Sequence, residues 1–320
     1  MCPATTPEPA ATTPPTALPA SAPTPRPQAS SSGDRSVVVA NFNVHAGVDG
    51  WGRPFDVVAG CRPIDADVLV LEECWTPEAS ATDRPSERSG TDRANSTGTA
   101  EAVATALGYE RYELTLATGR RAQPRPEANE RWMQSMDWRG ASHAIYLDQH
   151  RPMPPSIGRS PRFVEASPGR WGIAVLTRLP VVDHQEIDLG RLRRDRARRA
   201  ALLVRLDVGG GRTLTVVGTH MTHLSYGSPL QFTRLRHLLA PLVGDGPAVL
   251  VGDMNLWGPP VAALMPGWHR IVRGKTWPAW RPHSQVDHIL ARGPVRALRG
   301  EVLAMAGSDH RPVRAQLTLF

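Results

Sequence analysis

The sequence predicts an α+β protein in which two packed sheets carry helices on their outer faces. Several short apolar runs, among them Val37–Ala40 and Ala248–Val251, have the composition of buried strands. Gly209–Gly211 joins two further runs and is a hairpin signal. The helical patterns are few and short. Many strands with hairpin connections favour packed sheets over a doubly wound parallel sheet.

The first 35 residues differ in composition from the rest of the chain. Nine prolines fall within the first 27 residues, among many Ala, Thr and Ser. Such a segment cannot bury enough apolar surface to offset the conformational entropy lost on ordering. We therefore expect a disordered tail over 1–35, or a linker to a part outside this chain, and one folded domain over 36–320.

The remaining elements follow from periodicity and turn signals. We expect short helices at 55–62, 100–107 and 259–265, and a longer helix that Ser228 caps and Pro229 opens. The apolar face of that helix is Leu235, Leu238, Leu239 and Leu242. Further strands are predicted at 109–116, 171–178, 181–189, 200–207, 213–218, 286–290 and 313–319. Long loops are predicted at 76–98 and 117–168.

The stretch Ala248–Trp257 carries the first sign of chemistry. After the strand Ala248–Val251, Asp253 and Asn255 follow two residues apart and so leave an extended segment on one face. A carboxylate beside an amide suits holding and deprotonating a water next to a phosphate. A strand that ends in a polar turn is the plainer interpretation of this stretch alone.

Similar polar groups stand at the ends of other apolar runs. Buried polar groups cost free energy unless they are paired or bind a metal, so their recurrence at strand ends indicates a shared site. Metal or phosphate chemistry is the interpretation that fits these residue types. The set consists of Asn43, Glu73, His220, Asp253 with Asn255, Asp287, and Asp309 with His310.

Charge and cysteine content narrow the function classes. A net charge of +7 favours acidic partners such as nucleic acid or anionic lipid head groups. The six arginines in 191–199 are either a solvated basic loop or a phosphate contact. Three cysteines match no zinc motif and no disulfide framework, which favours a reducing compartment, with a Cys61–Cys74 bridge as the alternative. Without a signal or membrane-spanning run we expect a cytoplasmic monomer.

The ordered set of motifs resembles the endonuclease/exonuclease/phosphatase family. Each motif is weakly specific, but their order over residues 36–320 is highly specific. The motifs are Asn41–Gly47, Asp67–Glu73, Gly172–Arg178, Thr219–Met221, Gly252–Asn255, Val286–Ile289 and Gly307–Pro312. The resemblance implies a four-layered α/β sandwich, with two mostly antiparallel sheets flanked by helices, and metal-dependent cleavage of phosphate esters.

The resemblance also implies a metal site and a substrate contact. Glu73 would be the principal ligand of Mg²⁺, or of Mn²⁺ in its place, with Asn43 beside it and Asp309 near the ion. A hard cation that binds few carboxylates and keeps waters fits this set. Asn43 and Arg178 would contact the substrate, and for Arg178 a structural ion pair is an equal alternative.

The catalytic roles implied by the resemblance fall on five residues. Asp253 would orient and deprotonate the attacking water, and Asn255 would hold water or phosphate. His310 would contact the scissile phosphate while Asp287 polarises its other ring nitrogen. His220 would aid the leaving oxygen. The implied mechanism is in-line displacement at phosphorus.

Two positions depart from the family pattern. Glu72 stands where the family more often has Gln, and we expect it to face solvent rather than to join the metal site. The carboxylate that often supports a histidine such as His220 is not identified, although Glu110 and Glu113 lie in the expected region.

Three functions follow from these observations. We expect a phosphodiesterase or nuclease, with nucleic acid favoured as partner by the basic charge. A phosphoesterase of lipid head groups or inositol phosphates is the alternative. A non-catalytic binding module on the same fold is disfavoured because every main residue is present. The loops at 76–98 and 117–168 carry no motif, so the sequence does not identify the substrate.

Overall fold

The computed structural model describes residues 36–50, 53–78, 97–124, 145–147, 163–195, 197–224 and 227–320. The predicted tail over 1–35 and most of the two predicted loops lie outside these residues. The tail and the domain boundary at residue 36 therefore stay predictions.

Two sheets make up the body of the described chain. The strands are β1 (Ser36–Asn43), β2 (Val68–Pro77), β3 (Glu110–Pro124), β4 (Ile145–Leu147), β5 (Phe163–Thr177), β6 (Val181–Gly190), β7 (Arg199–Gly209), β8 (Arg212–His220), β9 (Ala248–Asp253), β10 (His269–Arg270), β11 (Asp287–Arg292), β12 (Val295–Val302) and β13 (Val313–Leu319). The first sheet has the order β12-β13-β1-β2-β5-β3-β4, and the second has the order β10-β11-β9-β8-β7-β6. Neighbours are antiparallel except for the pairs β1–β2 and β8–β9.

Four helices flank the sheets in the described residues, namely α1 (Val57–Cys61), α2 (Thr99–Leu107), α3 (Ser228–Val243) and α4 (Gly258–Leu264). One apolar core lies between the two sheets and contains Val39, Val70 and Val251. A second core joins the second sheet to α3 and α4, and a third joins the first sheet to α1 and α2. The predicted four-layered sandwich of mostly antiparallel sheets is confirmed.

The strand directions bring polar residues to one edge of the sandwich. Because β1 and β2 are parallel, Asn43 lies beside Glu72 in the first sheet. In the second sheet His220 lies beside Asp253, which in turn lies opposite Asp287. The hydrogen bond from Asn43 Nδ2 to Asp253 Oδ2, 3.0 Å long, joins the two edges. The strand order therefore places the ends of strands from both sheets at one site.

Several predicted bounds of strands and helices differ from those in the structure. β3 and β5 reach far into the stretch predicted as a loop, and β4, β10 and β12 had no prediction. Ser228 is the first helical residue of α3, not its cap, and Gly227 in a left-handed conformation precedes it. The buried face of α3 contains Phe232, Leu235 and Leu239, while Leu238 is exposed.

The two described cysteines do not form the bridge that the sequence allowed. Cys61 and Cys74 are free thiols, and both are buried in the core between the first sheet and its helices. Burial raises the pKa of Cys61 to about 12, so the thiol form persists at neutral pH. These positions serve packing.

Candidate active site

Asp253 is the carboxylate around which the other residues of the candidate site are arranged. Its Oδ2 accepts from Asn43 Nδ2 at 3.0 Å and lies 3.6 Å from His220 Nε2 and 3.8 Å from His310 Nε2. Its Oδ1 accepts from the backbone N–H of Asn255 at 2.8 Å. Burial raises the pKa of Asp253 to about 7, against the opposing effect of His310. A carboxylate with such a pKa can accept a proton near neutral pH.

The position of Asp253 depends on the glycine before it. A Cβ on Gly252 would lie 1.8 Å from the carbonyl oxygen of Thr219 on the neighbouring strand. No other residue could occupy this position without displacing β9 from β8. Gly252 thereby allows Asp253 to lie directly beside His220.

His310 and Asp287 form a buried pair. His310 Nδ1 lies 3.0 Å from Asp287 Oδ2 and 3.1 Å from Oδ1, and Asp287 is fully buried. Burial by itself would lower the pKa of His310, but Asp287, Asp309 and Asp253 raise it well above its usual value. The imidazole is therefore held in the charged form, and Nε2 faces Asp253.

His220 has the opposite electrostatic character. Burial, together with Arg199 and His310, lowers the pKa of His220 well below its usual value, so the ring is neutral. Asn255 Nδ2 lies 3.1 Å from His220 Nε2 and donates to the Met221 carbonyl at 3.1 Å. The amide nitrogen thus faces the ring, which indicates that Nε2 accepts and that Nδ1 carries the proton.

Glu72 corrects the expectation that it faces solvent. It is fully buried, and the Asn41 amide lies between the carboxyl groups of Glu72 and Asp287, able to donate to either. Burial, then the charges of Asp287 and Asp253, raise the pKa of Glu72 well above its usual value. Glu72 belongs to the interior of the site because it pairs with Asn43 and shares its face.

A β-bulge also brings Glu73 to the site. The register between β2 and β5 shifts between Glu72 and Cys74, and Glu73 has a φ of 55°. The bulge places two consecutive carboxylates near the same edge, because an extra residue interrupts the strict alternation. Glu73 Oε1 accepts from Asn43 Nδ2 at 3.1 Å.

Asp309 and His45 close the far side of the site. Asp309 Oδ2 accepts from Trp277 Nε1 at 3.2 Å, and Asp309 Oδ1 lies 3.4 Å from His45 Nδ1. Burial would raise the pKa of Asp309, but His45 and His310 lower it below its usual value. The backbone N–H of His45 donates to Asn43 Oδ1 at 3.0 Å, so Asn43 and Asp309 are connected through this turn.

Uncommon backbone conformations cluster at the same edge. Of the five described non-glycine residues with positive φ, only Asp65 lies elsewhere, and the others are His45, Ala46, Glu73 and Asn255. Such conformations cost about 1–3 kcal/mol each in general and persist where surrounding structure enforces them. Their clustering supports a functional role for this edge.

The structure does not bring every predicted residue together. Arg178 follows the end of β5 that pairs with the start of β2, far along the strand from Glu72. Its guanidinium donates to the Ala66 and Leu107 carbonyls and lies 4.3 Å from the Tyr109 ring centroid. This placement matches the structural alternative and not the substrate contact.

Neither carboxylate considered as a partner of His220 reaches it. Glu110 accepts from the Tyr112 hydroxyl, and Glu113 pairs with Arg111. Within the described part of the chain, His220 Nδ1 has no hydrogen-bond partner.

The sequence did not reveal one group that supports His220. Arg199 donates to the His220 carbonyl at 3.3 Å, pairs with Asp195 at 2.8 Å and lies over the Trp171 ring. The Trp171 ring in turn lies 5.3 Å from the imidazole. The sequence contains this pair as Asp195 and Arg199, four residues apart within the arginine-rich run. The five other arginines of that run made it impossible to single out Arg199 from the sequence.

The motif order and this geometry agree with one family. The endonuclease/exonuclease/phosphatase family profile matches residues 40–310. The chain belongs to this family. No curated protein matches the chain significantly.

Solved structures of the endonuclease/exonuclease/phosphatase family share the fold. One from Beutenbergia cavernae is 21% identical, covers 89% of this chain and 72% of its own, and has a TM-score of 0.53. The mannosyl-6-phosphatase Bt3783 of Bacteroides thetaiotaomicron is 14% identical, covers 88% and 100%, and has a TM-score of 0.55. The human Nocturnin catalytic domain with bound sulfate is 13% identical, covers 90% and 96%, and has a TM-score of 0.53. At these identities the likeness shows the fold.

Membership of the endonuclease/exonuclease/phosphatase family gives the general activity. Members are phosphoesterase hydrolases that generally depend on a divalent metal. None of the helices in the described residues combines the length and apolar character needed to cross a bilayer.

The residues present fit a divalent cation. Glu73, Asn43 and Asp309 offer oxygen atoms, which hard cations prefer. Three further carboxyl groups, those of Glu72, Asp253 and Asp287, are buried in the same site. Burial, with a further effect of neighbouring carboxyl charges, raises the pKa values of Glu72 and Asp253, and a bound cation would favour their ionised forms.

Proposed function

We propose that this protein hydrolyses phosphate diesters, with nucleic acid as the favoured substrate, by in-line attack of a water that Asp253 activates. The observation that carries the proposal is the position of Asp253 Oδ2 between a neutral and a charged imidazole, at 3.6 Å from His220 and 3.8 Å from His310. A base flanked by groups of different charge suits a reaction that moves a proton while charge develops on phosphorus.

Asp253 takes the proton of the attacking water. Its Oδ1 and Oδ2 are oriented by Asn255 and Asn43, so the carboxylate has a defined direction. Its pKa of about 7 matches the requirement that a general base be unprotonated yet still basic at neutral pH.

His310 stabilises the charge that develops on the phosphoryl oxygens. Asp287 holds Nδ1, so the proton on Nε2 is free to donate to a phosphate oxygen. Asn255 offers an amide for the same purpose. In the resting site His220 accepts from Asn255, so His220 aids the leaving oxygen only after that hydrogen bond is exchanged.

Glu73, Asn43 and Asp309 would hold Mg²⁺, or Mn²⁺ in its place. The cation would supply Lewis-acid stabilisation of the phosphoryl oxygens. Asp253, Asp287 and His310 form an alternative group, with ligand atoms within 4.8 Å of one another. We favour the oxygen set because His310 is held in the charged form, in which Nε2 carries a proton, and because Mg²⁺ prefers oxygen ligands.

The arginine-rich segment supports nucleic acid as the substrate. It leads into β7, whose first residue, Arg199, contacts the His220 carbonyl, so the segment lies at the site edge of the second sheet. Arg198 and Arg199 are engaged by Glu186 and Asp195, but Arg193 and Arg194 are exposed. Exposed arginines beside a phosphoesterase site are suited to backbone phosphates.

The test is metal-dependent turnover of a panel of phosphate esters. The panel consists of supercoiled plasmid, abasic duplex, RNA, sphingomyelin and an inositol phosphate, each with Mg²⁺ and with EDTA. We expect turnover of a nucleic acid with Mg²⁺, and its loss in Asp253→Asn. The matched control is Asp207→Asn, which removes an exposed carboxylate at the end of β7 and should leave turnover unchanged.

Two results would count against the proposal. Turnover of only the lipid or inositol substrate would replace nucleic acid by the alternative substrate class. A folded protein that binds no Mg²⁺ and turns over no member of the panel would favour the binding module.

A further inference from the structure

Beyond the end of β2, strands β3 and β5 continue as a ribbon at the same edge of the first sheet as the site. Arg121 lies in this ribbon. Pro77, the last residue of β2, pairs with Gly169 of β5, and Gly169 pairs with Gly119 of β3. Arg121 follows two residues after Gly119, where β3 still pairs with β5 but β2 has ended. The ribbon therefore carries Arg121 past the level at which Glu73 leaves the sheet.

The Arg121 side chain reaches the turn that borders the site. A Cβ on Gly47 would lie 3.6 Å from Arg121 Nη2, so the guanidinium lies over this turn. The turn begins at His45, whose backbone N–H donates to Asn43 Oδ1 and whose ring faces Asp309. Arg121 is thus separated by one short turn from residues that we assign to the metal.

The guanidinium has no partner in the described part of the chain. Its buried Nε has no hydrogen-bond partner, and no carboxylate among the described residues forms an ion pair with it. Burial lowers the pKa of Arg121, with no opposing carboxylate. Arg199 and Arg314, in contrast, are each held by a carboxylate, those of Asp195 and Glu301.

An unpaired, partly buried cation costs free energy unless a ligand supplies the anion. A guanidinium offers donors in a planar fork that matches two oxygens of one phosphate. A position beside the reaction site, where no carboxylate of the described residues pairs with the guanidinium, is therefore suited to part of the substrate.

We propose that Arg121 binds a second phosphate group of the substrate, next to the phosphate ester that is cleaved. This inference rests on the proposed function and narrows it to substrates with two neighbouring phosphates. A polynucleotide and an inositol bisphosphate both supply this chemistry, and the experiment below distinguishes them. Arg121 is then a specificity-determining residue and takes no part in the bond cleavage.

Stability gives the first test, because a ligand-binding arginine and a structural arginine respond differently. Arg121→Met keeps the aliphatic part and removes an uncompensated charge, so we expect a melting temperature equal to or above that of the wild type. Arg314→Met removes a paired arginine and should lower it. A clear loss of stability in Arg121→Met, comparable with Arg314→Met, would assign Arg121 a structural role and overturn the proposal.

Paired substrates give the second test. The first pair is p-nitrophenyl thymidine 5′-phosphate with and without a 3′-phosphate, and the second is an inositol phosphate with one or two neighbouring phosphates. We expect the wild type to show, in one of the two pairs, a KM at least tenfold lower for the substrate with the additional phosphate. The pair that shows it identifies the substrate class. Arg121→Gln should abolish this difference, because the additional phosphate then has no guanidinium partner.

Arg120→Gln is the matched control. Arg120 is the exposed neighbour on β3, so this variant removes the same charge from the other face of the strand. It should retain the wild-type preference. Equal KM values within both pairs for the wild type, or a preference that survives in Arg121→Gln, would overturn the proposal.

Binding without turnover separates this inference from the proposed function. Thymidine 3′,5′-bisphosphate and an inositol bisphosphate are titrated into each protein in EDTA by calorimetry. If the wild type hydrolyses no substrate, the proposed function fails, and binding alone decides the role of Arg121. At least tenfold weaker binding in Arg121→Gln than in Arg120→Gln supports the proposal, and equal or undetectable binding in both overturns it.

Discussion

At the scale of single residues, three buried carboxyl groups in one site have three different environments. Asp287 faces a charged imidazole, Asp253 faces two imidazoles and two amide groups, and Glu72 faces an amide and the other carboxyl groups. Because these environments differ, the carboxyl groups of one site can serve as the orienting partner of a histidine, as a base and as a buried acid.

The role of Asp287 predicts a change in the pKa of His310. Asp287→Asn keeps the shape but removes the negative charge that raises the pKa of His310. Loss of an adjacent charge shifts a pKa by about 1–3 units, so the ring should lose its proton at lower pH. We expect the alkaline limb of the rate profile to move to lower pH, and NMR titration of the His310 ring to show the same shift. Asp245→Asn, at an exposed position, should change neither, and an unmoved His310 titration would contradict the role.

Glu72 predicts a pH-dependent gain in stability on substitution. Its pKa in the folded protein is raised above the unfolded value, so its contribution to stability is largest at low pH and is lost as pH rises. Glu72→Gln should therefore stabilise the protein by about 1 kcal/mol or more at pH 8 in EDTA, and by little at pH 4. Mg²⁺ should reduce the gain, because a cation stabilises the carboxylate. Thermal unfolding measures the gain at pH 8 in EDTA, at pH 4 and with Mg²⁺. A gain that is equal at pH 8 and pH 4 would show that ionisation of Glu72 is not its cause.

At the scale of elements, the sequence predicts strands better than it predicts which side chains share a face. The polar residues at the strand ends, Asn43, His220 and Asp253, follow directly from the short apolar runs before them. The buried position of Glu72 follows the alternation of Val68 and Val70, whereas the arrival of Glu73 at the same edge could not be read from alternation because a bulge shifts the register there. The structural role of Arg178 depends on carbonyl groups that are distant in sequence.

Helix α3 shows the same limit and gives a prediction. Leu238 and Leu239 both belong to the apolar pattern, but only Leu239 is buried against the second sheet. Leu239→Ala should lower the free energy of unfolding by about 2–5 kcal/mol, whereas Leu238→Ala should lower it by less than about 1 kcal/mol. Denaturant unfolding measures both variants. Equal losses would mean that the helix packs through the face that the sequence pattern predicted.

At the scale of the whole molecule, the two sheets carry the candidate catalytic residues. The segments at one edge of the sandwich carry the residues that we propose for substrate binding. The strand order brings the catalytic candidates together, and this much follows from the motif order in the sequence. The proposed substrate-binding surface does not follow from it, because that surface depends on segments such as the arginine-rich run, whose residues have two different roles. Arg199 supports His220 from within, while Arg193 and Arg194 are exposed. The contribution to binding that we propose for Arg193 and Arg194 therefore depends on their position and not on composition.

The exposed arginines predict how binding of nucleic acid depends on salt. Each phosphate contact on duplex DNA contributes about −0.9 to the slope of log K against log salt. An Arg193→Ser/Arg194→Ser variant should therefore reduce the magnitude of the slope by about 1.8 if both contact phosphates. Arg296→Ser/Arg299→Ser removes the same charge from β12, at the outer edge of the first sheet, and should leave the slope nearly unchanged. Fluorescence anisotropy of an Asp253→Asn background, which binds without cleaving, gives the slopes at several salt concentrations. Equal reductions in the two variants would mean that net charge alone attracts the nucleic acid, and no reduction in either would place the phosphate contacts elsewhere on the protein.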